Sequence, residues 1–160
     1  MRVEMEVSMN DTIASLKRNC SLVALQCVTG RDDATVISAA RRAGQRRNCG
    51  IRTGQLLVAL GLLGVRYDVL PRWELLDPRK FGTRPRSRVW NRWTWDRLTL
   101  AAFCRKFPHG TFLLSVLGHF LVVVDGRVHD PNCPSRTRRR KVIEAIEILT
   151  VGGRIVGGRS

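Results

Sequence analysis

From Gly110 to Val124 the chain reads GTFLLSVLGHFLVVV, almost wholly apolar, and the run ends at Asp125-Gly126 before a second short run, RVH. Few folds accommodate such a stretch. Glycines divide it into pieces of strand length, and Asp-Gly between apolar runs is the strongest short-range signal for a tight β-hairpin. "GTFLLSVLG" is therefore predicted as a buried strand, with a hairpin folded about Asp125-Gly126 after it. If the turn has two residues, the register follows by counting. Val124 pairs with Arg127, Val123 with Val128, Val122 with His129, Leu121 with Asp130, and His119 with Asn132.

The hairpin holds two of the chain's three histidines. Side chains alternate across a strand, so this register puts His119, Leu121, Val123, Val128, Asp130 and Asn132 on one face and His129 on the other. Asp130 is then the diagonal neighbour of His119, and Asn132 lies directly across from it. An imidazole held beside a carboxylate has a fixed tautomer and a raised basicity, as a general base requires. A structural His–Asp pair at a sheet end is the plain alternative. A metal site built from His119, His129, Asp130 and Cys133 is disfavoured by the opposite facing of the two histidines, and no cofactor is expected.

Upstream the period is helical. "NCSLVALQCVTG" is predicted as a helix with Asn19 as N-cap and Gly30 as its stop, and Leu22, Val23, Ala24, Leu25, Cys27 and Val28 make it apolar on nearly every side, so buried. "RDDATVISAARRAG" gives a second helix, capped by Asp32 or Asp33, with Val36, Ile37 and Ala40 inward and Gly44 at its end. "RTGQLLVALGLLG" gives a third, capped by Thr53. "VRYDVL" then alternates as a strand does. "TLAAFCRKFP" reads as a short helix capped by Thr99 and stopped before Pro108, and "VIEAIEILTV" as a strand beside the hairpin. Helices followed by an antiparallel sheet define an α+β domain. One domain is expected over residues 1–150, with a glycine-rich, flexible tail at 151–160.

Residues 71–97 stand apart. They hold all four tryptophans, three of the six prolines, and eight basic against three acidic residues, and are expected to form a long loop or insertion. Aromatics interleaved with arginines suit base stacking and phosphate contact; Arg84, Arg86, Arg88, Trp90, Arg92 and Trp93 are the candidates. Arg136, Arg138, Arg139 and Arg140, in the basic connector "SRTRRRK", join them. The alternative is a tryptophan cluster that pins the loop to the body. The net charge of +15 points the same way, to a polyanionic partner such as nucleic acid. No apolar run is long enough for a membrane span, and "MRVEMEVSMND" lacks the apolar core of a secretory signal. Five cysteines without a CxxC pair indicate neither a zinc ribbon nor a disulfide framework, and fit reduced thiols in a cytosol.

One of those thiols has a distinctive setting. Cys20 falls in the first turn of a buried helix, where unpaired N–H groups and the helix dipole stabilise a thiolate and a developing oxyanion. Cys27 and Cys104 fall within helices, Cys49 and Cys133 in basic loops. A cysteine at a helix start with a histidine and carboxylate on a later sheet suits nucleophilic catalysis.

On "NCSLVAL", on "GHFLVVVDGRVHDP" and on helices preceding a sheet, the chain resembles the papain-like cysteine peptidase superfamily. It is most similar to compact members: the C39-type peptidases, the ovarian-tumour-type deubiquitinases and small papain-like proteins of phage genomes. The resemblance covers roughly residues 15–70 and 99–150. It implies a papain-like fold, with N-terminal helices packed on a small antiparallel sheet. It also implies Cys20 as nucleophile, His119 as general base and acid, and Asp130 as the residue orienting the histidine. Many relatives carry a glutamine about six residues before the cysteine. Here that position is Ala14 and no Gln precedes Cys20, which leaves the Cys20 N–H for the oxyanion, assisted by Asn19 or Lys17, with Asn132 a further orienting candidate.

Two functions follow. One is a peptidase or isopeptidase acting through a thioester acyl-enzyme on a protein or peptide substrate. The other is a non-catalytic basic module, a virion component with assembly partners or a nucleic-acid binder; a phage-encoded chain would then be virion-associated.

Overall fold

The computed structural model describes residues 19–46, 49–81, 94–129 and 139–156. Among the described residues three helices come first: α1 (Cys20–Thr29), α2 (Asp33–Arg42) and α3 (Thr53–Leu62). Strand β1 (Val65–Val69) follows, then α4 (Leu100–Lys106) and the strands β2 (Thr111–Val116), β3 (His119–Val124), β4 (Arg127–His129), β5 (Val142–Val151) and β6 (Arg154–Ile155). The strands form one antiparallel sheet in the order β1-β5-β2-β3-β4, with β6 beside β5. The α+β class is therefore as the period change indicates.

Local chemistry explains most boundaries. Asn19 Oδ1 accepts the Ser21 N–H at the start of α1, and Gly30, at φ +63°, closes its end with an N–H to Gln26 O. Asp32 caps α2 by accepting the Thr35 N–H at 2.9 Å, and Thr99 caps α4 by accepting from Ala102. The hydrogen bonds from Thr35 hold the Asp32 carboxyl below its ordinary value. Thr53 departs from expectation. Arg52 occupies the cap position, where its N–H donates to Gln55 Oε1 at 3.0 Å, while the Thr53 hydroxyl, already inside α3, donates to the Glu144 carboxylate.

The Asp125-Gly126 turn is as counted: both residues have positive φ, 48° and 71°, as a type I′ turn requires. The pairs Val122–His129, Val123–Val128 and Val124–Arg127 hold. The expected pairs involving Asp130 and Asn132 lie outside the described residues.

The apolar run is continuous because the sheet is covered on both sides, which sequence reading did not anticipate. On one face Leu113, Val122, Ile146 and Ile148 pack under Leu22 and Leu25 of α1, Val36 and Ile37 of α2, and Leu56 and Leu60 of α3. On the other, Phe112, Leu114, Leu121 and Val123 pack against Phe103 and Phe107 of α4 and against Leu75 and Leu98. Leu75 and Leu98 belong to the neck of the insertion. Two 3-10 turns, Arg72–Leu75 and Pro78–Lys80, lead into it. Its two ends are then zipped together by Asp77 N–H to Asp96 O at 2.7 Å and Leu98 N–H to Leu75 O at 2.8 Å. The neck is thus ordered where a plain loop was expected. Among the described residues it is seated by Leu75 and Leu98, and Trp73 is 71% exposed; Trp90 and Trp93, which the tryptophan-cluster alternative also needs, lie outside the described residues. Trp95 carries the Lys80 ammonium 4.3 Å from its ring centre.

Two further expectations change. α1 is buried on one side only, through Ser21, Leu22, Ala24 and Leu25, and Cys27 is exposed, because the helix lies in an outer layer. The glycine-rich end is not wholly a tail: β5 runs to Val151, and Arg154–Ile155 turn back to pair with it.

Candidate active site

The start of α1 and the start of β3 meet. The two-residue turn Leu117-Gly118 pairs Val116 with His119, which directs the next outward N–H of β3, that of Phe120, away from β2. That N–H donates to Cys20 Sγ at 3.4 Å. The thiol therefore rests on the peptide unit that joins His119 to Phe120, across 100 residues of sequence. Packing holds it there: Leu22 and Leu25 beneath α1 touch the same cluster as Phe120 and Val122 of β3. Cys20 and His119 are both half-buried, and His129 is exposed.

Register fixes the faces. His119 lies opposite Val116, on the side of Leu121 and Val123; His129 lies opposite Val122, on the α1 side. The two histidines thus face opposite ways, as counted from the turn. Among the described residues no group of three or more His, Cys, Asp or Glu side chains converges on a point.

The N–H groups at the head of α1 are largely taken. Ser21 N–H goes to Asn19 Oδ1 at 3.2 Å, and Leu22 and Val23 N–H to Asn19 O at 3.1 Å. Among the described residues this leaves the Cys20 N–H as the untaken first-turn donor beside the thiol. Asn19, expected near the oxyanion, is engaged at both ends of its side chain: Oδ1 caps α1, and Nδ2 donates to Cys49 O at 3.2 Å.

That contact was not foreseen. The Cys49 carbonyl also accepts from Gln45 Nε2 at 3.0 Å, so the α2–α3 loop is strapped over the head of the cysteine helix. Gln55 closes the strap at its base, donating to Gly44 O at 2.8 Å and accepting from Arg52 N–H at 3.0 Å. The one legible sign was Gln55 three residues after the helix start, the spacing of a capping box.

Of the remaining candidates, Lys17, Asp130, Asn132, Arg84, Arg86, Arg88, Trp90, Arg92, Trp93, Arg136 and Arg138 lie outside the described residues. Arg139 and Arg140 are exposed just before β5, remote in sequence from the thiol. Among the described residues no helix is long and apolar enough to cross a membrane.

What these features define is an α+β chain with a cysteine at a helix head resting against the histidine end of an antiparallel strand. No protein-family model matches the chain, and no match is found among curated proteins or solved structures.

Proposed function

We propose that the chain is a papain-like cysteine hydrolase, a peptidase or isopeptidase, with Cys20 as nucleophile, His119 as base and acid, and Asp130 orienting the imidazole. The observation that carries this reading is the contact of Cys20 Sγ with the His119–Phe120 peptide. The donor belongs to the residue next to His119, so the thiol lies at the histidine end of the strand; the register directs the imidazole to the α4 side, and the reading requires it to turn around the strand end to the sulfur. His119 takes the Cys20 thiol proton, the thiolate adds to an acyl carbonyl, the Cys20 N–H donates to the oxyanion, and His119 gives its proton to the leaving amine. A thioester remains, which His119 hydrolyses by taking a proton from water. This chemistry needs a reduced thiol and hence a reducing compartment such as the cytosol.

A second reading is supported by the charge of +15 and the exposed Arg139 and Arg140: a basic module without catalysis, in a virion or on nucleic acid. It requires salt-steep binding to DNA or RNA that survives Cys20→Ala.

The deciding experiment is the pH dependence of alkylation by iodoacetamide, with modified cysteines located by mass spectrometry. The hydrolase reading expects Cys20 to react at neutral pH and below, ahead of the exposed Cys27, and to lose that lead in His119→Ala. A Cys20 that lags Cys27 at every pH, in both proteins, overturns it.

A further inference from the structure

The sheet ends on one side at β1, whose sequence VRYDV carries a symmetry of charge. Among the described residues β1 pairs with β5 and with no other strand. The N–H of Leu70, next after the strand, donates to Ala145 O beside it at 2.9 Å. Backbone groups alternate sides along an antiparallel strand, so Asp68 and Arg66 also turn theirs to β5. Val65, Tyr67 and Val69 turn their N–H and C=O groups outward. Among the described residues no turn or loop backbone reaches these outer groups. The one irregularity in the pairing is taken up by β5, which passes over Leu149 between Thr150 and Ile148, so β1 itself is regular.

The side chains divide in the same way. Val65 and Tyr67 join the core of the α1 face, and Val69, on the same face, is 49% exposed. Arg66 and Asp68, on the other face, are both exposed, and among the described residues neither enters an ion pair. Charged side chains on an edge strand ordinarily keep other strands away. In β1 the two charges have opposite sign and stand symmetrically about Tyr67. An antiparallel copy of the strand, centred on Tyr67, therefore sets Arg66 of each chain directly across from Asp68 of the other. That pair falls between hydrogen-bonded rungs, where cross-strand side chains come closest. The outward groups of Tyr67 meet those of the second Tyr67, and those of Val65 meet Val69.

We propose that β1 is an interface between two copies of this chain, joining their sheets into one about a twofold axis at Tyr67. The inference is independent of the Cys20 site, which contacts β3, three positions across the sheet. The axis stands perpendicular to the sheet, so the α1 faces of both copies lie on the same side. On that side α3, the helix packed on β1, exposes Val58 and Leu62 one turn apart, at 52% and 41%. A strand of another protein would find the same outward N–H and C=O groups, but only a second copy is certain to bring the matching charges. The net charge of +15 opposes association. At about 0.15 M ionic strength its reach is cut to about 8 Å, while side chains across a strand pair stand about 5 Å apart and keep their attraction.

The test is sedimentation velocity of the full chain at that ionic strength, with circular dichroism and thermal unfolding to check the fold of each variant. The wild type is expected to be a dimer at submillimolar concentration. Arg66→Asp and Asp68→Arg each set like charges across the axis, and each should raise the dimer dissociation constant about tenfold or more. The double variant Arg66→Asp/Asp68→Arg restores unlike pairs and should restore the dimer. An equal mixture of the two single variants should form the mixed dimer. Val69→Pro removes an outward N–H and leaves the β5 ladder whole, so it should give a folded monomer. A monomeric wild type overturns the inference and leaves the edge to a strand of another protein. A dimer indifferent to the charge variants and to Val69→Pro also overturns it, moving the contact elsewhere. If neither the double variant nor the mixture associates, the pairing of Arg66 with Asp68 is wrong. None of these outcomes touches the hydrolase reading, which alkylation of Cys20 tests separately.

Discussion

The two faces of the sheet are equally apolar at their centres and are finished by opposite chemistry. Over the α1 face, the polar closure is made of neutral amides, those of Asn19, Gln45 and Gln55, gripping backbone. Over the α4 face it is made of charges. Asp77, only 4% exposed, is held by Arg79. Lys141 Nζ donates to Arg97 O at 2.7 Å, and Arg97 Nη1 donates to Ile143 O at 2.9 Å. Burial lowers the affinity of both Lys141 and Arg97 for their protons. Among the described residues, Asp96 Oδ1 and Arg97 Nε are buried without a hydrogen-bond partner. A charged closure thus carries a desolvation cost and consumes its own charge. A neutral closure carries no such cost.

The comparison is broken most severely in the core itself. Leu25→Ala on the α1 face and Phe103→Ala on the α4 face both remove fully buried side chains, and each should cost about 3–5 kcal/mol in denaturant unfolding. The sheet stands between the two sites, so the double variant should add within about 0.5 kcal/mol. A large departure would mean that the faces are coupled through the strands and are not two independent halves.

The next change separates two roles of one residue. Asn19→Ala removes the α1 cap and the grip on Cys49, and should cost about 1 kcal/mol or somewhat more. Asn19→Ser keeps a capping oxygen and loses only the grip. It should retain most of the stability while amide exchange at Gly50 and Ile51 quickens. If the serine variant exchanges as slowly as the wild type, the strap is held by Gln45 and Gln55 alone.

These contrasts also mark what could be read from the chain beforehand. Caps, the Asp-Gly turn and the hairpin register were legible because they depend on residues within a few positions of each other: Asn19 with Ser21, Asp32 with Thr35, Val124 with Arg127. The nearness of Cys20 to the histidine strand could be expected only through a family resemblance, since it spans 100 residues. The strap and the neck were not legible. Each is fixed by side-chain contacts to backbone carbonyls, such as Asn19 to Cys49 and Arg97 to Ile143, and a carbonyl has no sequence signature. The exposure of Cys27 was misread for a related reason. Uniform apolarity states that a helix is able to be buried, but only the arrangement of layers decides which side is.

The smallest effect is also the one that distinguishes the two closures by pH. Arg79 holds the Asp77 carboxyl below its ordinary value, by a side-chain hydrogen bond first, then by its backbone N–H and its charge, against the opposing effect of burial. A carboxyl whose folded value is depressed contributes stability that is fully present above its unfolded value, 3.8, and is lost as the pH falls through the folded one. Asp77→Asn should therefore weaken the neck at pH 7, and the difference from wild type should vanish as both are taken below that range. Arg79 is exposed, so solvent keeps the effect small. Gln55→Ala, on the α1 face, removes hydrogen bonds and no charge, so its cost should stay constant over the same range. Thermal unfolding of the two variants from pH 7 to 2.5 makes the comparison. A Gln55→Ala penalty that fades in acid alongside that of Asp77→Asn would show that the strap too leans on an ionised carboxylate. Glu144, which accepts the hydroxyl of Thr53 next to Arg52, would then be the group to replace.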